Sequence, residues 1–251
     1  MYKIFFSLVL LFFSVSVFSQ DIIANQDNDT AETVNSGVIS QEVELEKKNP
    51  RDFRLALAGG YFFRTGRTEK SGDVKLDNIS SDLSRGLGLD VEVQYFFKPM
   101  YGIALNFNHN RSSAKEKNVS IPFADGDVYC NQYNEIQTTT FIGPAFAMRH
   151  ETKKTLFTAS VALGPLFFRD EMKLSASQGI GSLVGTTTTF GVNVGIGLEY
   201  KLSQKMAAGV KLSQTGGTIN SIKISGVKYD YEEALSIGSL MLSGYVSFRT
   251  F

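Results

Sequence analysis

The stretch DFRLALAGGYFFR at residues 52–64 decides the fold class, because its large apolar side chains recur at every second position. One face of this segment carries Phe53, Leu55, Leu57, Tyr61 and Phe63. The opposite face is mainly small or charged, with Arg54, Ala56, Ala58, Gly60 and Arg64. A period of two is the alternation of a β-strand, whereas an amphipathic helix repeats about every 3.6 residues. The segment is therefore predicted to be a strand with one bulky apolar face.

The same alternation recurs in seven later stretches of the chain. They span residues 85–97, 101–108, 135–149, 155–168, 189–200, 206–213 and 239–251. The sequence thus predicts eight strands, most of them about 10 to 14 residues long, which is the length of a tilted membrane crossing. Pro144 and Pro165 fall inside two of these strands. Because proline cannot donate to the hydrogen-bond ladder, both are expected to mark local irregularities.

The connections between these strands alternate strictly in length. Residues 98–100, 150–154 and 202–205 are short turns, whereas 65–85, 109–134, 170–186 and 214–238 are long and polar. This asymmetry is typical of a transmembrane barrel. A soluble sandwich or lipocalin-like barrel would pack its large residues inward, but the second face here could not form a dry core. We expect an all-β fold, an eight-stranded antiparallel up-and-down transmembrane barrel with short periplasmic turns and four long extracellular loops.

The region before the first strand divides into two segments. Residues 1–19, MYKIFFSLVLLFFSVSVFS, combine one lysine, an apolar run and small residues at Val17 and Ser19, which is the pattern of a cleaved export signal. The alternative, a membrane anchor, needs about 20 apolar residues and a basic flank. Residues 20–50 are polar and acidic and are predicted to form a disordered periplasmic tail. The barrel domain then occupies residues 51–251.

The overall composition excludes several classes of function. The chain has 25 Lys and Arg against 25 Asp and Glu, so no basic stripe suggests nucleic acid as a partner. Cys130 is the only cysteine, which excludes an intramolecular disulfide. With only two histidines besides it, the chain offers too few soft ligands for a zinc or iron–sulfur site. We therefore expect no metal and no cofactor.

The export signal, the glycine-rich alternating strands, the IGPAF and LGP segments and the terminal Phe251 together resemble a known family. It is that of the small outer-membrane β-barrel proteins of Bacteroidetes-type Gram-negative bacteria, which are OmpA/OmpX-like in architecture. The resemblance implies an outer-membrane location, with outer-membrane lipid and lipopolysaccharide around the barrel. It also implies that Phe251 is recognised by the barrel assembly machinery. Leu240, Leu242, Val246 and Phe248 alternate out of phase with Phe251, so either a bulge lies near Arg249 or the signal is imperfect.

Two further sites follow from resemblance to known patterns. Asp29-Thr30-Ala31 resembles the acceptor of the general O-glycosylation system of these bacteria, with Thr30 as the modified residue. His109, Ser112 and Ser113 offer the residue types that outer-membrane enzymes acting on lipid A use. The sequence spacing places no acidic residue beside His109. A position at the base of a solvated loop accounts for this histidine without a catalytic role. The expectation is that the protein is not an enzyme, with a lipid A-modifying enzyme kept as an alternative.

The small face of the predicted strands carries a set of charged residues that would line the barrel interior. They are Arg54, Arg64, Asp90, Glu92, Arg149, Glu199, Lys211 and Arg249. Unpaired charges away from water are costly, so these residues are expected to form ion pairs that fill the narrow lumen. The predicted function is a structural or surface-interaction role, in which the long loops could meet an extracellular ligand. The alternative is a narrow, porin-like channel for small solutes.

Overall fold

A computed structural model describes residues 52–66, 71–123, 126–176 and 179–250 of the chain. The predicted signal at 1–19 and tail at 20–50 lie outside the described residues. The same holds for Thr30 as a glycosylation site and for Phe251 as an assembly signal. Domain boundaries, export, glycosylation and assembly therefore stay predictions.

The described chain consists almost entirely of strands. In chain order they are β1 (Asp52–Arg64), β2 (Arg85–Phe96), β3 (Tyr101–Phe123), β4 (Gly126–Glu151), β5 (Thr155–Ala176), β6 (Gly179–Lys201), β7 (Met206–Ile224), β8 (Val227–Ser236) and β9 (Ser239–Thr250). One helix, α1 (Val74–Leu83), lies between β1 and β2. In the part of the chain that the structure describes, no helix is long and apolar enough to span a membrane.

Eight of the strands close into a ring. Each of β1 to β7 pairs antiparallel with its successor, β7 also pairs with β9, and β9 pairs with β1. The strand β8 is a branch that pairs with the far end of β7, from Thr218 to Ile224. The predicted eight-stranded antiparallel barrel is confirmed. The sequence did not predict the branch strand β8. Only Ile237 and Gly238 separate β8 from β9, so no turn-rich segment marks the boundary between the two strands.

The two faces of the barrel wall follow the predicted alternation. On β1, Phe53 is 55% exposed and Leu57 40%, whereas Arg54 is 1% exposed and Ala56 4%. The outward face of the ring strands carries Leu, Val, Ile, Phe and Tyr side chains, which we call the apolar band; on β5 it extends from Phe157 to Phe167. Tyr61 and Phe63 pack edge to face with ring centroids 5.2 Å apart, near the C-terminal end of β1. A soluble barrel with its bulky residues inside does not describe this arrangement.

The strands are longer than the sequence predicted. β3, β4, β5 and β6 contain 23, 26, 22 and 23 residues. Most of the polar segments 109–134, 170–186 and 214–238, expected to be loops, are paired strands that extend the wall beyond the apolar band. Their backbone groups stay in the ladder although most of their outward side chains are polar. We call this end the upper end, and the end with the short turns the lower end.

The remaining long connection, 65–85, contains α1. Asp73 caps its N-terminus and accepts hydrogen bonds from the backbone N–H groups of Lys75 and Leu76. Ile79 and Leu83 face a buried apolar cluster on the inner side of β3 and β4, which includes Ala114, Val119, Ile121, Cys130 and Tyr133. The helix therefore covers part of the upper barrel interior.

The two glycine–proline pairs lie opposite each other on β4 and β5. The ladder between these strands is paired at Phe141–Leu166 and again at Ala145–Ala162 in the same register, with an interruption between. Pro144 and Pro165 lie in the interruption and have no N–H to donate. A Cβ on Gly164 would lie 2.1 Å from the carbonyl oxygen of Ile142, so the backbones approach too closely for a side chain. The local irregularity predicted at these prolines is present. It is a gap in the β4–β5 pairing, and the register is the same on both sides of the gap.

Strand β9 pairs with β1 without a break from Ser239 to Thr250. Arg249 is buried opposite Arg54, and Phe248 is outward and 39% exposed. Of the two alternatives for the end of the chain, a bulge near Arg249 is therefore wrong within the described residues.

Candidate functional site

The lower part of the lumen is filled by two groups of ion pairs. Arg149 donates to Asp52 Oδ2 at 2.7 Å and to the backbone oxygen of Pro99 at 2.8 Å. Its guanidinium lies 4.0 Å from the ring centroid of Phe96, which is fully buried. Beside it, Glu151 contacts Arg249 at 3.0 Å and Lys201 at 2.6 Å. These pairs cover the lumen where the short turns and the ends of β1 and β9 meet.

The next layer is built around the Arg54 guanidinium, which is 1% exposed. Arg54 on β1 forms an ion pair across the lumen with Glu199 on β6, three strands away around the ring, and donates to Gln94 Oε1 at 2.7 Å. Glu199 also accepts hydrogen bonds from the hydroxyl groups of Tyr245, at 2.9 Å, and Ser247. The buried carboxylate is thus neutralised by one cation and held by two hydroxyl groups.

The third layer centres on Lys211 of β7. Its Nζ lies 2.6 Å from Asp90 Oδ1 and 2.8 Å from Glu92 Oε1, both on β2. Glu92 Oε1 also accepts from Asn106 and Ser160, each at 2.9 Å. Gln94 links this layer to the previous one, since it accepts from Arg54 and donates to Glu92 Oε2 at 2.7 Å. The result is one continuous hydrogen-bonded network across the lumen.

The paired charges in these layers balance. The bases are Arg54, Arg149, Lys201, Lys211 and Arg249, and the acids are Asp52, Asp90, Glu92, Glu151 and Glu199. The sequence-derived set had three acids against five bases because it omitted Asp52 and Glu151. Both lie at strand ends, where too few apolar neighbours follow to reveal which face a residue occupies. Seven of the eight predicted lumenal residues form these ion pairs, and Arg64 does not.

Arg64 lies higher in the barrel, where the interior becomes apolar. Its guanidinium carbon is 5.5 Å from the ring centroid of Phe168. The surrounding buried cluster consists of Phe141, Ala145, Ala162, Leu166, Phe168, Ile219, Ile222 and Ile237. Large apolar side chains of β4, β5 and β7 therefore fill part of the interior above the lower charge network.

Above the apolar band, a carboxyl pair faces the interior of the extended wall. Glu135 accepts from the Tyr133 hydroxyl and lies beside Asp170, which is adjacent to it on the neighbouring strand β5. Burial, and secondly the charge and hydrogen bond of Glu135, raise the pKa of Asp170 to about 7. Burial likewise raises the pKa of Tyr133, and the negative charge of Glu135 adds to this effect. The Asp170 carboxyl is thus partly protonated near neutral pH.

The histidine–serine constellation considered for catalysis is not assembled. His109 faces outward and its Nδ1 is 2.8 Å from Thr140 Oγ1 on β4. Ser112 is 2% exposed and faces the interior, so it lies on the other side of the wall from His109. Ser113 shares the outward face but is four residues further along β3. His150 is at the lower end, beside the turn to β5.

Comparison with known proteins relates the fold to outer-membrane barrels. The chain is similar to a major outer membrane protein from Thermus thermophilus, with a TM-score of 0.52, 9% identity, and coverage of 80% of this chain and 99% of that one. OprG from Pseudomonas aeruginosa gives a TM-score of 0.46 at 11% identity, covering 80% of this chain and 97% of that one. Ail, the attachment invasion locus protein of Yersinia pestis, in complex with the heparin analogue sucrose octasulfate, gives a TM-score of 0.44 at 11% identity. The match covers 80% of this chain and 99% of that one.

A scan against protein-family models finds no match, and a search of curated proteins finds none either. Because these structures are only 9 to 11% identical to the chain in sequence, the similarity shows the fold alone.

Proposed function

We propose that the protein is an integral outer-membrane barrel with a structural or surface-interaction role, of the small OmpA/OmpX-like kind found in Bacteroidetes. The observation that carries the proposal is the pairing of an outward apolar band with an inward network of buried ion pairs. Side chains such as Phe190, 66% exposed, and Leu242, 60% exposed, surround the ring. A soluble protein rarely exposes so large an apolar surface, whereas a closed ring without free strand edges is suited to lipid.

The lumen is proposed to be closed to solutes. An eight-stranded barrel is just wide enough for its interior to be filled by side chains. Here the ion-paired layers and the apolar cluster above them fill successive levels, and central groups such as Arg54, Asn106 and Glu199 are at most 1% exposed. Moving a hydrated ion past them would require several buried ion pairs to separate.

The extended wall supports a role at the cell surface. From Arg111 to Phe123, β3 continues for roughly 40 Å along the strand beyond the apolar band. Exposed apolar side chains occur near the hairpin ends, with Tyr129 57% exposed on β4, and Val227 55% and Tyr229 53% on β8. Exposed aromatic groups on a rigid sheet are suited to contact with another macromolecule.

Fractionation of cells that express the full chain tests the location. We expect the protein in the outer-membrane fraction after carbonate extraction, with heat-modifiable mobility on gels. Protease added to intact cells should cleave at the upper hairpins and leave the lower turns intact. Release into the soluble fraction, or cleavage at the lower turns alone, would contradict the proposal.

We also propose that the barrel is not an enzyme. His109 and Ser112 lie on opposite faces of β3, which supports this view. The test is mass spectrometry of lipid A incubated with the purified protein and with the His109→Ala variant. We expect unchanged lipid A in both samples; a change in acylation that the variant abolishes would replace our proposal with the enzyme alternative.

A further inference from the structure

Four side chains that carry oxygen atoms meet on the inner face of the extended wall, above the apolar band. Gln137 on β4 lies between Ser112 on β3 and Asp170 on β5, because it is in register with both residues. Glu135 is the neighbouring inward residue on β4. Its Oε1 accepts a hydrogen bond from Gln137, and Asp170 lies beside it. We call Ser112, Glu135, Gln137 and Asp170 the upper oxygen cluster.

Three oxygen atoms of this cluster are buried without a hydrogen-bond partner. Ser112 is 2% exposed, and its Oγ has no partner among the described residues. The same holds for Gln137 Oε1 and Asp170 Oδ1. Buried polar groups in proteins are nearly always hydrogen-bonded or bound to an ion. Unpartnered oxygen atoms on three adjacent strands therefore indicate a ligand that binds oxygen lone pairs.

The charge of the surroundings favours a cation as this ligand. Arg64 attracts both Glu135 and Asp170 electrostatically. It forms no ion pair with either carboxyl group in the part of the chain that the structure describes. When both carboxyl groups are ionised, the single charge of Arg64 offsets only one of the two negative charges. An anion would be repelled by the remaining charge, whereas a cation would be attracted.

The types of ligand atom in the cluster select a hard cation. Carboxylate, amide and hydroxyl oxygens bind Ca²⁺ and Mg²⁺, whereas zinc and copper prefer imidazole and thiolate ligands. Mg²⁺ demands a nearly ideal octahedron and retains several water molecules. Ca²⁺ accepts about six to eight oxygen ligands in a flexible geometry, and water can supply some of them. Two carboxylates with one amide and one hydroxyl group therefore suit Ca²⁺ better.

We propose that the upper oxygen cluster binds one Ca²⁺ ion. Glu135 and Asp170 supply carboxylate oxygens, and Gln137 supplies Oε1. The Ser112 hydroxyl completes the protein ligands from the neighbouring strand. The bound ion holds β3, β4 and β5 together across the inner face of the extended wall. This site goes beyond the proposed function, which concerns the location of the barrel and its outer surface.

The test is calcium titration of the purified full-length chain in a non-ionic detergent, measured by isothermal titration calorimetry. The protein is first treated with EDTA and dialysed at mildly alkaline pH. The site variant, Glu135→Gln/Asp170→Asn, removes both carboxylates and keeps nearly the same side-chain volumes. The control, Asp127→Asn/Asp230→Asn, removes two exposed carboxylates elsewhere on β4 and β8. Heat-modifiable mobility shows whether each variant is folded.

We expect the wild type and the control to bind one Ca²⁺ ion with a Kd of about 0.1 to 1 mM, the range of extracellular calcium modules. The site variant should bind at least about tenfold more weakly. Ser112→Ala keeps both carboxylates and should weaken binding about two- to fivefold, since it loses one neutral ligand. Arg64→Gln should strengthen binding, because it removes the cation that opposes Ca²⁺.

The inference would be overturned if the wild type bound no Ca²⁺ at about 10 mM, or if the site variant bound as tightly as the wild type. Equal weakening in the control would show a general effect of surface charge and would also overturn it. Should the site variant fail to fold, unchanged binding by both Ser112→Ala and Arg64→Gln would have the same consequence. Because purified protein is used, the result does not depend on the fractionation experiment that tests the proposed location.

Discussion

Replacing Lys211 with methionine removes the central cation of the lumen while preserving most of its volume. In the native barrel the Lys211 ammonium group contacts Asp90 at 2.6 Å and Glu92 at 2.8 Å, and the side chain is 5% exposed. The substitution leaves two buried carboxylates without their shared cation. The two carboxylates differ in the hydrogen bonds that their other neighbours donate. The one with fewer hydrogen bonds should account for most of the lost free energy of unfolding.

Glu92 retains three hydrogen-bond donors, since Asn106 and Ser160 donate to Oε1 at 2.9 Å and Gln94 to Oε2 at 2.7 Å. Asp90 retains only a long hydrogen bond from Asn108 at 3.3 Å among those found in the described residues. Breaking a buried pair by removing one partner costs about 3 to 5 kcal/mol. We therefore expect Lys211→Met to lose about that much free energy of unfolding, mainly through Asp90.

The assay is urea unfolding of the barrel refolded into lipid vesicles, followed by circular dichroism and by heat-modifiable gel mobility, because the chain has no tryptophan. Adding Asp90→Asn to Lys211→Met should restore more stability than adding Glu92→Gln. Lys154→Met, in an exposed turn, serves as the control and should change stability by less than about 0.5 kcal/mol. A loss below about 1 kcal/mol for Lys211→Met, or stronger rescue by Glu92→Gln, would refute the described network.

Three further predictions concern other parts of the barrel. Because the pKa of Asp170 is raised from 3.8 to about 7, the stability due to its proton is present below pH 3.8 and lost as the pH rises to about 7. Unfolding midpoints measured across this range should depend less on pH in Asp170→Asn, and parallel curves would contradict the assignment. Gly164→Ala should impair refolding, measured as the heat-modifiable fraction, because its Cβ meets a carbonyl oxygen at 2.1 Å, whereas Gly244→Ala has open space and should refold normally. Deleting Phe251 should lower outer-membrane levels in cells but not refolding in vitro; equal loss in both would indicate a packing role.

The alternation of apolar residues was enough to predict the barrel and the direction of its faces. In β1 and β9 nearly every second side chain is large and apolar, so the face that meets lipid is visible in the sequence alone. The ends of the strands were not visible. From Arg111 onward β3 reads RSSAKEKNVSIPF, in which both faces are mainly polar and period two no longer marks a strand.

The helix and the completed charge network were missed for different reasons. For α1 a signal was available, since Asp73 is a favourable N-cap and Leu76, Ile79 and Leu83 recur at helical spacing. Within a segment rich in Ser and Asp, three apolar residues were too few to stand out. For Asp52 and Glu151, no local pattern could identify the partner, because each pairs with a residue about 100 positions away along the chain. Asp52 pairs with Arg149, and Glu151 pairs with Arg249.

Planar-bilayer recording tests most directly whether ion pairs and apolar side chains close the lumen. Refolded barrel, residues 51–251, should insert without producing stable unitary current steps. The Lys211→Met/Asp90→Asn/Glu92→Gln variant should also remain silent, since its substituted side chains keep nearly the same volume and the apolar cluster around Phe141 and Leu166 is intact. Stable, large unitary steps from the wild-type barrel would contradict a closed lumen and favour the narrow channel.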